Sequence, residues 1–284
     1  MSSALSRPKA ETAREDLLFM SGILLRESGV VLESDKFYLI ETRLDALAKR
    51  EGLRSVTELV QLVRKHPHPP LIKKIVSALT THTTSFYRDL HPFEALRETI
   101  LPELIADRAA SKGLNLWSAA CSSGQEPYSL AILLREHFPE LKRWSTYFLA
   151  TDISIEAIEQ AKKGAYRPAD INRGLPAKQL LTHFSQKSGE WFVHPDIQHS
   201  IDFREMNLAA DWPPLPQMDL ILMRNVLIYF GVQNKKKILK RALKLLRPKG
   251  YLMLGTTETT LGLEDHFEPV TIGKSVFFRK KGDS

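Results

Sequence analysis

Apolar side chains in the N-terminal part of the chain recur at helical spacing, which predicts an all-helical region. From Phe37 to Leu47 they follow i, i+3 and i+7 intervals and mark one buried helix face. Ser55 and Glu58 form a capping-box pattern before a second helix, and residues 71–79 predict a third. Three prolines within residues 67–70 predict a stiff connection between the last two helices.

From residue 92 onward, short apolar runs alternate with amphipathic stretches. The predicted strands are 114–118, 146–151, 218–223 and 251–255, and the predicted helices are 128–138, 154–163 and 233–246. This alternation indicates a parallel sheet with helices on both faces. Residues 164–205 interrupt it with a short helix and two strands, which we interpret as a small β insertion. Two segments around Gly273 predict an antiparallel hairpin at the sheet edge.

Composition then limits the class of protein. A chain of 284 residues with 43% hydrophobic and 26% charged residues is typical of about two globular domains. The single cysteine, Cys121, excludes an intrachain disulfide. The N-terminal segment has no apolar core of a signal peptide, and no apolar run reaches the ~20 residues that span a bilayer. We therefore expect a cytoplasmic protein that does not insert into membranes.

The charge balance suggests an acidic partner. The chain has 40 basic and 33 acidic residues, a net charge of +7. Both parts of the chain carry a small positive excess, so we expect the charge to be spread out and not concentrated in a polybasic tail.

Candidate ligand-binding residues follow the predicted strands. The first strand leads into a loop of small residues whose only glycine is Gly124, so the dinucleotide fingerprint G-x-G-x-x-G is absent. Asp152 ends the second strand, where an acidic side chain commonly accepts ribose hydroxyls; the alternative is a helix cap. Asn225 and Tyr229 follow strand 218–223, where a turn-forming Asn and a buried aromatic residue are the alternative.

The segment between residues 79 and 89 lies at the predicted boundary of the two parts. It contains a run of hydroxyl side chains, one histidine, and the aromatic pair Phe86 and Tyr87 beside Arg88. Ligands favour such boundaries, so we regard it as a candidate site segment, with a polar linker as the alternative. His66 and His68 have no further ligand at a suitable spacing, so no metal site is predicted.

Five segments of this sequence, taken together, resemble the chemotaxis receptor glutamate methyltransferases (CheR-type) over nearly the whole chain. In chain order they are TTHTTSFYRD, LWSAACSSGQEPYSLA, ATDI, RNVLIYF and LRPKGYLMLGTTE. The resemblance implies an α/β fold: a Rossmann-like class I S-adenosylmethionine methyltransferase domain with a small β insertion, preceded by an all-helical N-terminal domain. It implies three regions. They are a receptor-recognition domain at 1–79, a linker contributing to the active site at 80–91, and a methyltransferase domain at 92–284 with a β subdomain at about 164–205.

The resemblance also implies a function and roles for single positions. The expected activity is O-methylation of glutamate side chains on chemoreceptor helices, with S-adenosylmethionine as cofactor and S-adenosylhomocysteine as product. The positions expected to bind the cofactor are His82, Thr84, Arg88, Glu126, Asp152, Asn207, Leu208, Asn225 and Val226. Arg88 and Tyr229 match the residues nearest the transferred methyl group and are expected to be catalytic. Arg43, Lys49 and Arg50 are expected to recognise the receptor, with a solvated helix face as the alternative.

The chain departs from the family pattern in two site residues and in the β insertion. His82 replaces the usual Asn, and because an imidazole titrates near neutrality, we expect cofactor affinity to depend on pH. Gln125 replaces a frequent Glu. The β insertion is short between Phe184 and Phe203, which predicts independence from a receptor C-terminal pentapeptide.

Two other classes of function were weighed: a non-enzymatic S-adenosylmethionine-binding regulatory module, and a methyltransferase acting on another protein or on nucleic acid. No basic stripe interleaved with aromatic residues is visible, so no nucleic-acid partner is predicted. A monomer is expected. Because Cys121 lies in the expected cofactor loop, thiol modification is expected to inhibit the enzyme.

Overall fold

The computed structural model describes residues 13–282 and divides into two compact units, Met1–Thr81 and His82–Ser284. The boundary lies within the expected linker, whose residues from His82 onward belong to the second unit. The N-terminal segment on which the signal-peptide prediction rests lies outside the described residues.

The first unit is helical, as predicted. Its described helices are α1 (Arg14–Ser28), α2 (Tyr38–Arg50), α3 (Val56–Lys65) and α4 (Pro69–Leu79). Leu44, Leu59 and Ile75 are fully buried and pack the helices around one core. Ser55 caps α3, since its hydroxyl accepts a hydrogen bond from the amide of Glu58 at 3.2 Å.

The proline-rich connection is shorter than the sequence predicts. Pro69 and Pro70 occupy the first turn of α4 instead of preceding it. A proline is tolerated there because the amides of the first turn have no partner within the helix.

The second unit contains two sheets. Its strands are β1 (Gly113–Ala119), β2 (Ser145–Asp152), β3 (Ala165–Tyr166), β4 (Phe184–Lys187), β5 (Glu190–Val193), β6 (Asp202–Glu205), β7 (Met218–Met223), β8 (Leu246–Leu254), β9 (Phe267–Ile272) and β10 (Ser275–Lys280). Its helices are α5 (His91–Ala95), α6 (Leu101–Arg108), α7 (Gln125–His137), α8 (Ile155–Lys163), α9 (Pro168–Ile171), α10 (Ala177–His183), α11 (Pro195–Gln198) and α12 (Val232–Leu245). A π-helical segment, Leu96–Ile100, joins α5 to α6.

The large sheet confirms the Rossmann-like α/β prediction. Its seven strands lie in the order β6-β2-β1-β7-β8-β10-β9. The first five are parallel, and β10 runs antiparallel to both β8 and β9, which gives the predicted edge hairpin. The chain order reverses at β1, which pairs with β2 on one side and β7 on the other. Open α/β sheets bind ligands at the carboxyl ends of the strands flanking such a reversal.

The β insertion is smaller than the predicted range 164–205. The small antiparallel sheet contains only β3, β5 and β4, with β4 and β5 joined by the two-residue turn at Ser188 and Gly189. The predicted strand near 201–204 is β6, which pairs in parallel with β2 and forms an edge of the large sheet. A short apolar strand has the same local pattern in either sheet, and only its distant partner distinguishes the two.

Large apolar side chains fill the interior of the second unit. Trp117, Leu220 and Leu222 of the central strands are fully buried. Among the described residues, no helix combines the length and apolar character needed to cross a membrane.

Candidate functional site

The loop after β1 has an unusual backbone. Ala120 and Ser122 adopt positive φ angles of 61° and 52°, and Gly124 reaches 96°. A side chain at Gly124 would place its Cβ 2.9 Å from the Tyr166 hydroxyl, so only glycine fits. Asn225, after β7, also has a positive φ, 57°. Such conformations cost about 1–3 kcal/mol each in non-glycine residues and concentrate at functional sites. The carboxyl ends of β1 and β7 therefore form a candidate site.

Asp152 organises this loop from the end of β2. It is buried, and its two carboxylate oxygens accept hydrogen bonds from the amides of Ser154 (3.0 Å) and Ser122 (2.8 Å). The Nδ1 atom of His82 lies 3.8 Å from Asp152 Oδ1, and the Ser122 hydroxyl donates to the His82 carbonyl at 2.8 Å. Asp152 is thus both the turn-forming residue and the residue that draws His82 to the strand edge.

The sequence analysis did not single out Arg224, which follows β7. Its side chain is 2% exposed and forms ion pairs with Glu126 at 3.1 Å and Asp89 at 2.7 Å. The Nη2 atom that pairs with Asp89 also donates to the main-chain carbonyl of Arg88 at 3.1 Å. The guanidinium lies over the ring of Phe93. Arg224 therefore joins the linker, α7 and β7 at one point.

Glu126, in the first turn of α7, has two protein partners. Ser118 of β1 donates to Oε1 at 2.9 Å, and Arg224 donates to Oε2 at 3.1 Å. A carboxylate at a helix N-terminus is also stabilised by the helix dipole. Gln125 beside it is buried and accepts a hydrogen bond from the Ser123 hydroxyl at 2.9 Å.

Glu258 is a second residue that the sequence analysis missed. Its buried carboxylate accepts hydrogen bonds from the amides of Asn225 (2.7 Å), Gly255 (2.7 Å) and Ile228 (3.2 Å). It thereby fixes the main chain on both sides of Val226. A carboxylate bound by three amides is strongly held, because ionised acceptors make the stronger hydrogen bonds.

The linker is anchored by aromatic packing against the β insertion. The Phe86 ring is fully buried and makes edge contacts with Tyr166 and Phe184, at centroid distances of 5.1 and 5.6 Å. Gly174 lies so close that a Cβ built on it would be 2.1 Å from the Phe86 carbonyl oxygen. The amide of Tyr87 also donates to Ser129 of α7 at 2.9 Å. These contacts hold the two residues that precede Arg88.

Arg88 and Tyr229 are both half-buried at this edge of the sheet. Arg88 donates to the Thr83 carbonyl at 3.1 Å, within the linker. Tyr229 ends the short 3-10 turn that Glu258 holds, and its neighbour Ile228 is exposed.

The remaining expected cofactor positions are buried or half-buried. Leu208 is buried, and its carbonyl accepts a hydrogen bond from the Trp212 indole at 3.1 Å. Asn207 is half-buried and accepts a hydrogen bond from the amide of Ala209 at 2.9 Å. Val226 and Thr84 are half-buried.

Cys121 lies in the loop but is not accessible, contrary to the expectation that its modification would inhibit. Its side chain is 1% exposed. Burial, with the nearby carboxylates of Asp152 and Glu126, raises the pKa of the thiol well above its usual value. Because the thiolate is the reactive form, Cys121 is a structural residue.

In the first unit, the three basic residues expected to recognise a receptor differ in availability. Arg43 is half-buried and donates to the carbonyls of Leu79 and Thr80, at 2.6 and 3.1 Å, so it holds the end of α4. Lys49 and Arg50 are exposed, and Lys49 forms an i,i+4 ion pair within α2. Lys49 and Arg50 are therefore the two residues of this set whose side chains are accessible to a partner.

The site fits S-adenosylmethionine by the chemistry of its acceptors. That molecule carries a sulfonium, an ammonium group and two ribose hydroxyls. Each oxygen of Asp152 and Glu126 accepts one hydrogen bond from the described residues, and a carboxylate oxygen can accept two. Two buried carboxylates with remaining acceptor capacity suit hydroxyl and ammonium donors. No group of side chains suited to a metal ion occurs in the part of the chain that the structure describes.

The fold and the site are those of a class I S-adenosylmethionine-dependent methyltransferase: the strand order reverses at β1, β10 is antiparallel, and carboxylates line the carboxyl edge of the sheet. Two family models match the chain: "CheR methyltransferase, SAM binding domain" over residues 82–276 and "CheR methyltransferase, all-alpha domain" over residues 15–80. The chain belongs to the CheR methyltransferase family.

Curated relatives cover nearly the whole chain. The chain is 38% identical to chemotaxis protein methyltransferase Cher2 of Pseudomonas putida, covering 91% of this chain and 95% of the relative. It is 38% identical to chemotaxis protein methyltransferase 1 of Pseudomonas aeruginosa, covering 95% and 99%. A chemotaxis protein methyltransferase of Vibrio parahaemolyticus is 35% identical, covering 92% and 95%.

Proposed function

We propose that this methyltransferase esterifies glutamate side chains on the cytoplasmic helices of chemoreceptors. The family models, and relatives named as chemotaxis protein methyltransferases, support this substrate class. The enzyme would act in the cytoplasm, where those helices lie, and we propose that it does so as a monomer.

One structural observation carries the proposal. Arg224 binds the carbonyl of Arg88 and the carboxylates of Asp89 and Glu126 at the same time. It thereby brings the linker to the carboxyl edge that carries Asp152. A guanidinium, a phenol and two carboxylates then share one edge, which suits an anionic acceptor beside a cationic methyl donor.

The reaction needs little acid–base chemistry from the protein. A glutamate side chain, with a reference pKa near 4.3, is already ionised at neutral pH and can act as the nucleophile directly. S-adenosylmethionine, when bound, supplies a methyl group on a sulfonium: a C–O bond forms as the C–S bond breaks, leaving a neutral ester and a neutral thioether. The enzyme's contribution is therefore positioning and exclusion of water.

The proposed roles combine the family resemblance with the position of each residue in the fold. Asp152 would accept the ribose hydroxyls and Glu126 the ammonium group. His82, Thr84, Asn207, Leu208, Asn225 and Val226 would complete the cofactor pocket. Arg88 would orient the incoming carboxylate through charge-assisted hydrogen bonds, and the Tyr229 hydroxyl would help to place it. In the first unit, exposed Lys49 and Arg50 would contact acidic receptor side chains, with Arg43 holding the end of α4.

The test uses S-adenosylmethionine labelled in its methyl group and membranes carrying the organism's chemoreceptors. Glutamate methyl esters release labelled methanol in base, whereas methylated amines and amides do not. We expect base-labile label on the receptors. Base-stable label would indicate another acceptor, and cofactor binding without any transfer would indicate a regulatory module.

The role of Arg88 separates transfer from binding. We expect Arg88→Ala to lower kcat about 100-fold, because a carboxylate that is no longer oriented rarely reaches an in-line geometry. Cofactor affinity, measured by isothermal titration, should change much less. Arg143→Ala, at an exposed position, is the matched control. An equal loss of transfer and of cofactor binding would contradict the orienting role.

We also infer that the enzyme does not depend on a receptor C-terminal pentapeptide. The turn between β4 and β5 contains only Ser188 and Gly189, both at positive φ, as in a tight hairpin. This short turn offers no extended loop for a peptide. Calorimetric titration with such a peptide should show no binding, and micromolar affinity would overturn the inference.

His82 gives the proposal a pH dependence. A protonated imidazole 3.8 Å from Asp152 would compete for that carboxylate and repel a cationic cofactor, so affinity should weaken as pH falls. Titrations of S-adenosylmethionine at pH 5.5 and 8 should differ for the wild type. His82→Asn should bring the two values together, and equal wild-type affinities would refute the idea.

A further inference from the structure

The net charge of the chain is concentrated in one segment. Residues 232–249, which contain α12, carry eight lysine and arginine residues and no acidic residue. The rest of the chain has 32 basic and 33 acidic residues, so this segment accounts for the whole positive excess. The expectation of a spread-out charge, based on totals for two large regions, was wrong.

The arginines and lysines of this segment differ in their contacts. Arg241 pairs with Asp211 at 2.5 Å, and Arg247 lies 3.5 Å from Asp219, so both arginines serve the fold. Lys236 lies near Glu264; a hydrogen bond from the Gly262 amide, with this lysine's charge, lowers the pKa of that carboxylate. Lys237, Lys240 and Lys244 are exposed and make no ion pair within the described residues.

These lysines share one face of α12. At 3.6 residues per turn, positions 236, 237, 240 and 244 lie within about 100° of the helix circumference. Ile238, Leu239 and Ala242 lie on the other side and are fully buried against the sheet. We call the exposed set, Lys236, Lys237, Lys240 and Lys244, the lysine face.

The lysine face begins close to Tyr229, at the carboxyl edge of the large sheet. α12 starts three residues after Tyr229, and two apolar side chains near its start are exposed, Ile228 by 47% and Val232 by 56%. With a rise of 1.5 Å per residue, Lys240 lies about 12 Å along the helix from Val232. The exposed Ile228 and Val232, followed by the lysine face, therefore extend away from Tyr229, which we place beside the reacting carboxylate.

We propose that the lysine face, with Ile228 and Val232, docks the glutamate-bearing helix of the substrate protein. This inference rests on the proposed function, and it adds a contact surface on the catalytic unit itself. An amphipathic acidic helix offers apolar and carboxylate side chains, which match this surface in charge and polarity.

The use of lysine favours this occupant. A lysine is a flexible point charge, whereas arginine fixes a planar, bidentate geometry. Flexible charges let one substrate helix shift along α12 and present different glutamates in turn. Proteins that bind single-stranded nucleic acid add stacking aromatic side chains to a basic groove, and residues 232–249 contain no aromatic residue.

The experiment measures methylation of a soluble cytoplasmic fragment of a chemoreceptor, in which no membrane is present. We expect Lys237→Glu/Lys240→Glu to raise KM for the fragment about tenfold in low salt, with the effect confined to KM. The difference should shrink as ionic strength rises. Lys142→Glu/Lys178→Glu makes the same change in net charge at exposed positions elsewhere and should leave KM unchanged. Cofactor affinity and thermal unfolding of both variants report that the fold is intact.

Each outcome separates the inference from the proposed function. An active wild type with unchanged KM in Lys237→Glu/Lys240→Glu overturns the docking surface alone. Equal effects of both double variants overturn it too, since net charge would then be the cause. An effect seen only with receptors in membranes, together with binding to anionic phospholipid vesicles, assigns the face to lipid. A wild type that leaves every receptor unlabelled removes the proposed function, and the inference with it.

Discussion

The two edges of the large sheet both contain a buried ion cluster, but with opposite polarity. At the amino edge, Asp219 is fully buried and accepts hydrogen bonds from Arg108 at 2.6 Å and the Asn115 amide at 2.8 Å. Arg108 is partly exposed. At the carboxyl edge the buried ion is a cation, Arg224, and its carboxylate partners, Glu126 and Asp89, are the more exposed groups.

This inversion separates a stabilising cluster from a functional one. A buried anion ringed by arginines leaves positive groups at the surface of the amino edge. A buried cation ringed by carboxylates leaves negative groups at the opening of the carboxyl edge, where we propose that the cationic cofactor binds. Both satisfy the rule that buried charges are paired, and only the second leaves acceptors available to a ligand.

The largest expected effect is on stability, at the amino edge. Asp219→Ala should lower the free energy of unfolding by about 3–5 kcal/mol, because Arg108 and a buried amide lose their partner. Chemical denaturation measures the loss. Below the melting temperature, kcat should stay within about twofold of wild type, since no site residue contacts Asp219. A kcat lowered tenfold in folded protein would remove the distinction between the edges.

The second effect is on catalysis, at the carboxyl edge. Arg224→Lys should lower kcat about 100-fold, since an ammonium cannot bridge Glu126, Asp89 and the Arg88 carbonyl together. Its stability loss should be smaller than that of Asp219→Ala, because lysine keeps a positive charge beside Glu126 and Asp89, whereas alanine removes the charge at position 219. Steady-state kinetics and denaturation on the same preparations give the comparison. A variant that loses stability without losing kcat would make Arg224 another structural ion.

A third, smaller effect concerns Glu258. In Glu258→Gln the amide retains one oxygen, so an NH2 group must face a backbone amide donor. We expect a loss of about 1–3 kcal/mol in stability and about tenfold in kcat, as the turn carrying Tyr229 loosens. Fluorescence-monitored unfolding and kinetics measure the two losses. Unchanged kcat would show that the turn holds its shape without this carboxylate.

The smallest expected effect is at Cys121. Because burial raises the pKa of its thiol, the neutral form persists at physiological pH. Iodoacetamide at pH 7.5 should leave activity unchanged and the thiol unlabelled by mass spectrometry, whereas denatured protein should label fully. Rapid labelling of the native enzyme would show that Cys121 is accessible in the folded protein. Cys121→Ser is the matched control for any loss of activity that does appear.

Local pattern was enough to predict the fold class and the edge of the sheet at which the candidate site residues lie. Apolar periodicity placed the strands that became β1, β2 and β7, and the residues after them lie at the carboxyl edge. Asp152 was singled out because it ends a buried strand, where open α/β sheets bind ligands, with a helix cap as the alternative. In the structure it accepts the amides of Ser154 and Ser122, so it shapes the turn, and its role toward a ligand stays a prediction.

What the sequence could not predict depends on distant partners. Arg224 and Glu258 stand within quoted motifs, but their importance comes from contacts with residues far along the chain. A charged residue directly after a buried strand was a signal for Arg224. The run of lysines in α12 was visible as well, and averaging charge over 204 residues concealed it.

The contact between Gly174 and the Phe86 carbonyl has a consequence for recombining members of this family. The linker packs against the β insertion through Phe86, so we expect the sequences of the two segments to be compatible only as a pair. A chimera that exchanges residues 82–91 alone would set a foreign linker against an unmatched insertion. Exchanging 82–91 together with 165–193 transfers both sides of the contact. Chimeras that take these two segments from the same parent should therefore fold, and chimeras that take them from different parents should not.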